Sequence, residues 1–225
     1  RKYGGLAGVH QFSAQVLERL ERHPAIVSAG VGSRPLGRGV MSTVVKSPGH
    51  KPDGIRMHMD AASPGYFAAL GLTLTKGRFF TAADQAGAPA ASILNERAVR
   101  ELDLGDSPIG QTVAIDGPPM QVVGVVADSR RGQLEAAPDP AIYMPFLQST
   151  RVSSGQLLIR TTGDPGTVVG DVRKIVTELD PELTECDFSF GGGPTYSTFG
   201  ALSGKWTETS LGQWGGVGGT LYDIP

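Results

Sequence analysis

SPGYFAALGLTLTKGRFFTAAD, residues 63–84, is the stretch from which the rest of the chain is best read. Ser63 suits a helix N-cap, Pro64 the first helical position and Gly71 the C-terminal stop, so a short helix is expected here. Tyr66, Phe67 and Leu70 would supply its apolar contacts, and Leu72–Phe80 continues as extended chain. Gly65, Gly71 and Gly77 allow tight chain reversals around the aromatic pair.

Upstream, FSAQVLERLERH places Phe12, Val16, Leu17 and Leu20 at helical spacing, with Glu18, Arg19, Glu21 and Arg22 on the other face and Pro24 as the stop. Ile26–Ser33 reads as a strand ending at Arg34-Pro35. Two further β-leaning runs, Val40–Val45 and Ile55–Asp60, flank the turn-rich SPGHKPDG. In the second, Ile55, Met57 and Met59 alternate with Arg56, His58 and Asp60, which predicts one buried face.

Downstream, AASIL reads as a strand and NERAVREL as a helix capped by Asn95. SPIGQTVAI enters another strand, and Asp116-Gly117 opens a turn lengthened by Pro118-Pro119. MQVVGVVAD is valine-rich enough to be central in a sheet, with Gly124 permitting close backbone approach or a bulge. AIYMP and QLLIRT are two more strands. In GDPGTVVGDVRKIVTELDP, Val168, Val169, Val172, Ile175, Val176 and Leu179 recur at helical spacing behind an Asp164 cap and Pro165. The order is that of an α+β chain whose outer parts form one layer around an inserted centre. From Gly191 the sequence turns glycine-rich without a period and holds both tryptophans, Trp206 and Trp214.

Composition narrows the function. With 20 Lys+Arg against 22 Asp+Glu the net charge is −2, and no basic stripe favours nucleic acid. The lone Cys186 forbids an intramolecular disulfide. No run reaches the roughly 18 apolar residues of a membrane span. His10, His23, His50 and His58 lack metal-ligand spacing; His58 and Asp60 share only a polar strand face. There is no GxSxG elbow, no P-loop and no dinucleotide fingerprint, and the carboxylates fall at no recognisable paired spacing. The sequence nominates no catalytic, cofactor-binding or metal-binding residue.

The opening stretch together with SILNERAVREL, SPIGQTVAIDG, QVVGVVADSR and AIYMPFLQ, in that order and spacing, resembles the periplasmic core domain of MacB-like, FtsX-like ABC permeases, and is most similar to the duplicated orphan permeases among them. HPAIVSAGVGSRPLG and LLIRTTGDPGTVVGDVRKIVTELDPEL extend the resemblance to roughly residues 10–185. The resemblance implies a porter-like α/β subdomain made of two chain halves, residues 1–75 and 152–190, around an inserted β-rich, Sabre-like subdomain, 76–151, with 191–225 as an irregular tail. It implies structural roles for Pro64, Gly65, Tyr66, Phe67, Gly71, Gly77, Arg78, Phe80, Asp84, Gly110, Gly124, Asp128, Tyr143, Pro145 and Arg160. Asp128 is expected to form a local ion pair with Arg130.

The same resemblance implies a non-catalytic domain between two membrane helices of an inner-membrane export or mechanotransmission permease, facing the periplasm. It would couple helix motion to a substrate or partner outside the membrane. The partners implied are a cytoplasmic ABC ATPase subunit or domain reached through the membrane helices, a periplasmic adaptor or other envelope partner, and a second permease copy. No cofactor is implied. The alternative within the class is an envelope-regulating ectodomain for lipoprotein handling or control of a cell-wall enzyme. The chain begins at Arg1 rather than Met, as a fragment would, and TECDFSFGGG replaces the expected approach to a second membrane helix. Residues from about 186 onward are therefore expected to be an altered reading frame, a truncation or a divergent terminus.

Overall fold

A computed structural model describes residues 6–33, 42–48, 53–129, 138–149 and 156–181. The tail from 182 onward, including Cys186 and both tryptophans, lies outside the described residues. In chain order the elements are α1 (Leu6–Glu21), β1 (Ile26–Gly32), β2 (Ser42–Val45), β3 (Ile55–Ala62), α2 (Tyr66–Leu70), β4 (Leu74–Gly77), β5 (Ala91–Asn95), α3 (Glu96–Glu101), β6 (Thr112–Val113), β7 (Met120–Val126), β8 (Ala141–Pro145), β9 (Gln156–Thr161) and α4 (Val169–Leu179). The mixed α+β character expected from the sequence is what the chain has. By internal contacts it divides into two units: Arg1–Arg38, Gly65–Gly71 and Thr150–Pro225 form the first, Gly39–Pro64 and Leu72–Ser149 the second.

In the first unit β1 and β9 pair antiparallel, from Ile26↔Thr161 to Gly32↔Gln156, with a bulge between Ile26 and Ser28. Helix α1 starts earlier than its sequence pattern predicted. Val9 joins Phe12, Val16 and Leu20 in one buried stripe at i, i+3, i+7 and i+11, and the neighbouring glycines hide that start from a periodicity reading. Between α1 and α4, Arg19 Nη1 donates to Glu178 Oε2 at 2.8 Å, and His23 Nε2 lies 3.1 Å from Asp171 Oδ2. Asp164 caps as expected, its Oδ1 accepting from Gly166 N at 2.8 Å, but the turn it starts is 3-10 over Pro165–Val168 before α4 begins.

Helix α2 belongs to this unit although β3 and β4, on either side of it in the chain, belong to the other. Its N-cap is Gly65, with no side-chain cap bond, so Ser63 does not cap it. Gly65 lies against the carbonyl of Ala29, and a Cβ there would overlap it. A Cβ on Gly30 would in turn overlap the backbone of Gly65 and Tyr66. The helix ends as predicted at Gly71, in the left-handed region at φ 70°.

The second unit is a ring of strands. Strand β3 pairs antiparallel with β2 and parallel with β8; His58 has a partner on each side, Ser42 and Ala141. Strand β8 pairs antiparallel with β5, β5 parallel with β7, and β7 antiparallel with β6. The ring closes where Lys46 and Ala114, just past β2 and β6, form an antiparallel bridge. Inside lie Val45, Met57, Met59, Leu94, Val113, Ile115, Met120, Val122 and Ile142, with Ala98, Leu102 and Leu104 of the α3 region packed into the same core. Strand β7 is interior as its valines predicted, with β5 along one edge and β4 and β6 along the other.

Two expectations change here. Residues 39–64, grouped by the sequence reading with the front segment, fall in the second unit, because β3 takes β2 and β8 as its neighbours. The alternation of β3 holds only to Met59: Asp60, Ala61 and Ala62 are all buried, so both faces of its second half are covered. Asn95 caps α3 as predicted, its Oδ1 accepting from Ala98 N at 3.0 Å.

Replacing Gly30 by Ala should destabilise the protein by about 3 kcal/mol, the upper end of ordinary overpacking, because only backbone could yield. Gly170→Ala, in α4 with open space around it, should instead stabilise by about 0.5 kcal/mol. Urea unfolding of the two variants side by side checks both signs.

Candidate functional site

The positions singled out from sequence gather in two places, one in each unit. In the first unit, Gly65, Tyr66, Phe67 and Gly71 form α2 and its ends, with Pro64 exposed just before it. Tyr66 and Phe67 are fully buried and meet edge to face, ring centroids 5.4 Å apart at 80°. Arg160 of β9 reaches the C-terminal end of the helix, Nε donating to the Ala69 carbonyl at 3.3 Å, where a cation also suits the helix dipole. Arg160 thus holds the aromatic helix against its sheet.

In the second unit, Gly77, Arg78, Phe80, Asp84, Gly110 and Gly124 meet where β4 ends along β7. A Cβ on Gly77 would overlap the Val123 carbonyl, and one on Gly124 would overlap the Arg78 carbonyl. Gly77 and Gly110 are left-handed, at φ 72° and 88°. Arg78 N donates to Val123 O at 2.9 Å and Gly110 N to Val122 O at 2.9 Å, so β4 and the approach to β6 share one edge of β7 end to end. The glycines leave an open cleft of about 400 Å³ lined by Gly77, Arg78, Ile109, Gly110, Gln121 and the Val122–Val123 pair, with Ile109 42% exposed.

Beside this cleft Arg78 grips Asp84 with two bonds, Nη1 to Oδ2 at 2.7 Å and Nη2 to Oδ1 at 2.9 Å. The Asp84 carboxylate is 7% exposed and also accepts from Thr81 N at 2.8 Å and Thr81 Oγ1 at 3.2 Å. The Arg78 hydrogen bonds, aided by Thr81 and opposed by burial, hold its carboxyl below the usual carboxylate range. This latch closes residues 78–84 into a loop over the buried Phe80. Its side-chain bonds run among Arg78, Thr81 and Asp84.

The Asp128 carboxylate accepts from Arg97 N at 2.7 Å and Arg100 Nη2 at 2.6 Å, and its expected partner Arg130 lies outside the described residues. Parallel pairing of β5 and β7 puts their C-terminal ends side by side, which brings Asp128 to the first turn of α3. Tyr143 and Pro145 lie on β8, Tyr143 buried opposite Ile93. His58 does not pair with Asp60. Its Nε2 lies 2.9 Å from Asp139 Oδ2, and Asn95 Nδ2 donates to the Asp139 carbonyl at 2.9 Å. Sequence reasoning missed Asp139 and Asn95's second role, since neither has a local pattern. Among the described residues no group of three or more His, Cys, Asp or Glu could hold a metal ion, and no helix is long and apolar enough to cross a membrane.

The model of the MacB-like periplasmic core domain matches residues 7–179. The chain belongs to that family. Among its relatives is the macrolide export ATP-binding/permease protein MacB of Azoarcus sp. (strain BH72), 29% identical over 105 residues, which are 47% of this chain and 16% of that protein. The pyoverdine export ATP-binding/permease protein PvdT of Pseudomonas putida is 37% identical over 73 residues, 32% of this chain and 11% of that protein. The MacB-like domain thus spans a minor part of these relatives' length. The crystal structure of the periplasmic region of MacB from Actinobacillus actinomycetemcomitans has the same fold, with a TM-score of 0.52 at 18% identity over 74% of this chain and 73% of that one.

Asp84→Asn should cost about 1–2 kcal/mol at pH 7, since it breaks a buried charge-assisted bond whose partner remains half in water. The folded carboxyl titrates below its unfolded value near 4, so this contribution is complete above that pH and is lost as pH falls through the lower folded value. Thermal melts of both proteins from pH 7 down to pH 2 should converge at the acid end.

Proposed function

We propose that this chain is the extracytoplasmic domain of an ABC-type export permease and couples movement of membrane helices to a substrate or partner outside the membrane. The match of the family model over residues 7–179 carries the reading, and the export ATP-binding/permease names of the relatives supply its direction. In this reading the domain performs no bond chemistry. ATP is hydrolysed by a cytoplasmic ABC ATPase subunit or domain, and the protein resides in the inner membrane with this domain in the periplasm. A second permease copy and a periplasmic adaptor complete the assembly.

The physical logic is that of rigid parts changing arrangement. Hydrolysis biases a two-state membrane assembly, and the domain presents that change to the outside through packed elements rather than through a reactive group. The two units described above correspond, in this proposal, to a porter-like and a Sabre-like subdomain. The first, built from both chain ends, would take the membrane connections.

The test is a deletion in the parent permease. Replacing residues 7–179 by a short flexible linker should lower ATP-dependent export of the transported solute at least tenfold in proteoliposomes, while basal ATP hydrolysis by the ATPase persists. Unchanged export would overturn the reading. Unchanged export together with lost activity of a cell-wall hydrolase in cells would favour the envelope-regulating alternative instead.

A further inference from the structure

The strand ring of the second unit is closed unevenly. Strand β3 holds β8 through five register pairs, His58↔Ala141 to Ala62↔Pro145, and β5 holds β7 through another five, Ala91↔Gln121 to Asn95↔Val126. Where β5 meets β8 only two pairs form, but Asn95 reinforces them, its Oδ1 accepting from Ala141 N at 2.8 Å and its Nδ2 donating to the Asp139 carbonyl at 2.9 Å. Where β6 meets β7 the two pairs are extended by Gly110 N to Val122 O and Val122 N to Gln111 O. Among the described residues the closure between β2 and β6 has no such support. It consists of Lys46 N to Ala114 O at 3.0 Å and Ala114 N to Lys46 O at 2.8 Å, with one flanking bond from Ser47 Oγ to the Leu102 carbonyl at 3.2 Å.

Position makes this seam weaker still. Lys46 is exposed and Ala114 half-buried, so water can compete for the two bonds. Immediately behind them Val45 is fully buried and Val113 is 1% exposed, against the apolar interior. That interior is rich in methionine: Met57, Met59 and Met120 lie in it and Met144 packs against it, four of the chain's five methionines. Unbranched, polarisable thioether side chains can repack when one wall moves, which a core of β-branched residues does less readily.

We propose that the second unit opens at the β2–β6 seam, the Lys46–Ala114 bridge parting as a local cooperative step while β3, β8, β5 and β7 stay paired. Opening swings β2 away from β6 and uncovers the methionine-lined wall, which gives the closed ring an apolar face that it can show or hide. The device is independent of the transport reading, since it rests on how this ring closes.

Hydrogen–deuterium exchange on the 225-residue chain tests it. The amides of Lys46 and Ala114 should exchange at least tenfold faster than those of β5 and β7, by an opening that does not require global unfolding. A lock provides the second arm. Lys46→Cys with Ala114→Cys, in a Cys186→Ser background, joins two residues that exchange both backbone bonds, a pair about 5.5 Å apart and within disulfide reach. Oxidation should slow exchange in 42–47 and 112–115 at least tenfold and leave β5 and β7 within about twofold; reduction should restore it. Fluorescence of added anilinonaphthalene sulfonate should be lower in the oxidised than in the reduced form. Equal exchange at the seam and in β5 and β7, or seam exchange indifferent to the lock, would sink the proposal.

Discussion

Backbone touches backbone where Gly65 meets Ala29 and Gly30 meets Tyr66, and the placement of α2 depends on that contact. A five-residue helix has almost no stability of its own. It exists because its backbone can come close enough to β1 for Tyr66 and Phe67 to be buried completely, and because Arg160 ties its last turn. The chain leaves the second unit after Pro64, spends Gly65–Gly71 in the first, and returns at Leu72.

The second unit obeys a different constraint. Its strands close on themselves, and two of the ring's pairings, β3 with β8 and β5 with β7, are parallel. Parallel neighbours bring like ends together. That is why Asp128, leaving β7, lies at the first turn of α3, and why Asn95 at the end of β5 can serve α3 and the entry to β8 at once. Polar side chains at these ends replace ladder bonds that short strands cannot supply. The latch of Arg78 on Asp84 works in the same way for the loop leaving β4.

Several charged residues tie the domain's own loops and helix ends, Arg78 with Asp84, Arg100 with Asp128 and Arg160 on α2, and Gly30, Gly65, Gly77 and Gly124 lie where two backbones approach. These positions belong to a chain of the MacB-like periplasmic core domain family. Gly-Tyr-Phe at α2 and Gly-Arg beside β7 stand where packing inside each unit is closest.

Sequence by itself determined most of the local structure. Asn95 and Asp164 announced their caps, Gly71 its left-handed stop, and the valines of 120–126 a strand with neighbours on both edges, because each of these depends on a residue's own conformational preference. The family resemblance was legible in the same way, from the order and spacing of short stretches such as residues 63–84. Tertiary structure alone decided which pieces belong together. Residues 39–64 joined the second unit, and His58 met Asp139 and Asp128 met Arg100 across separations that no periodicity spans. The physical reason is the same in all three. Strand pairing and backbone approach are chosen by the surfaces that meet, and a sequence displays those surfaces only one residue at a time.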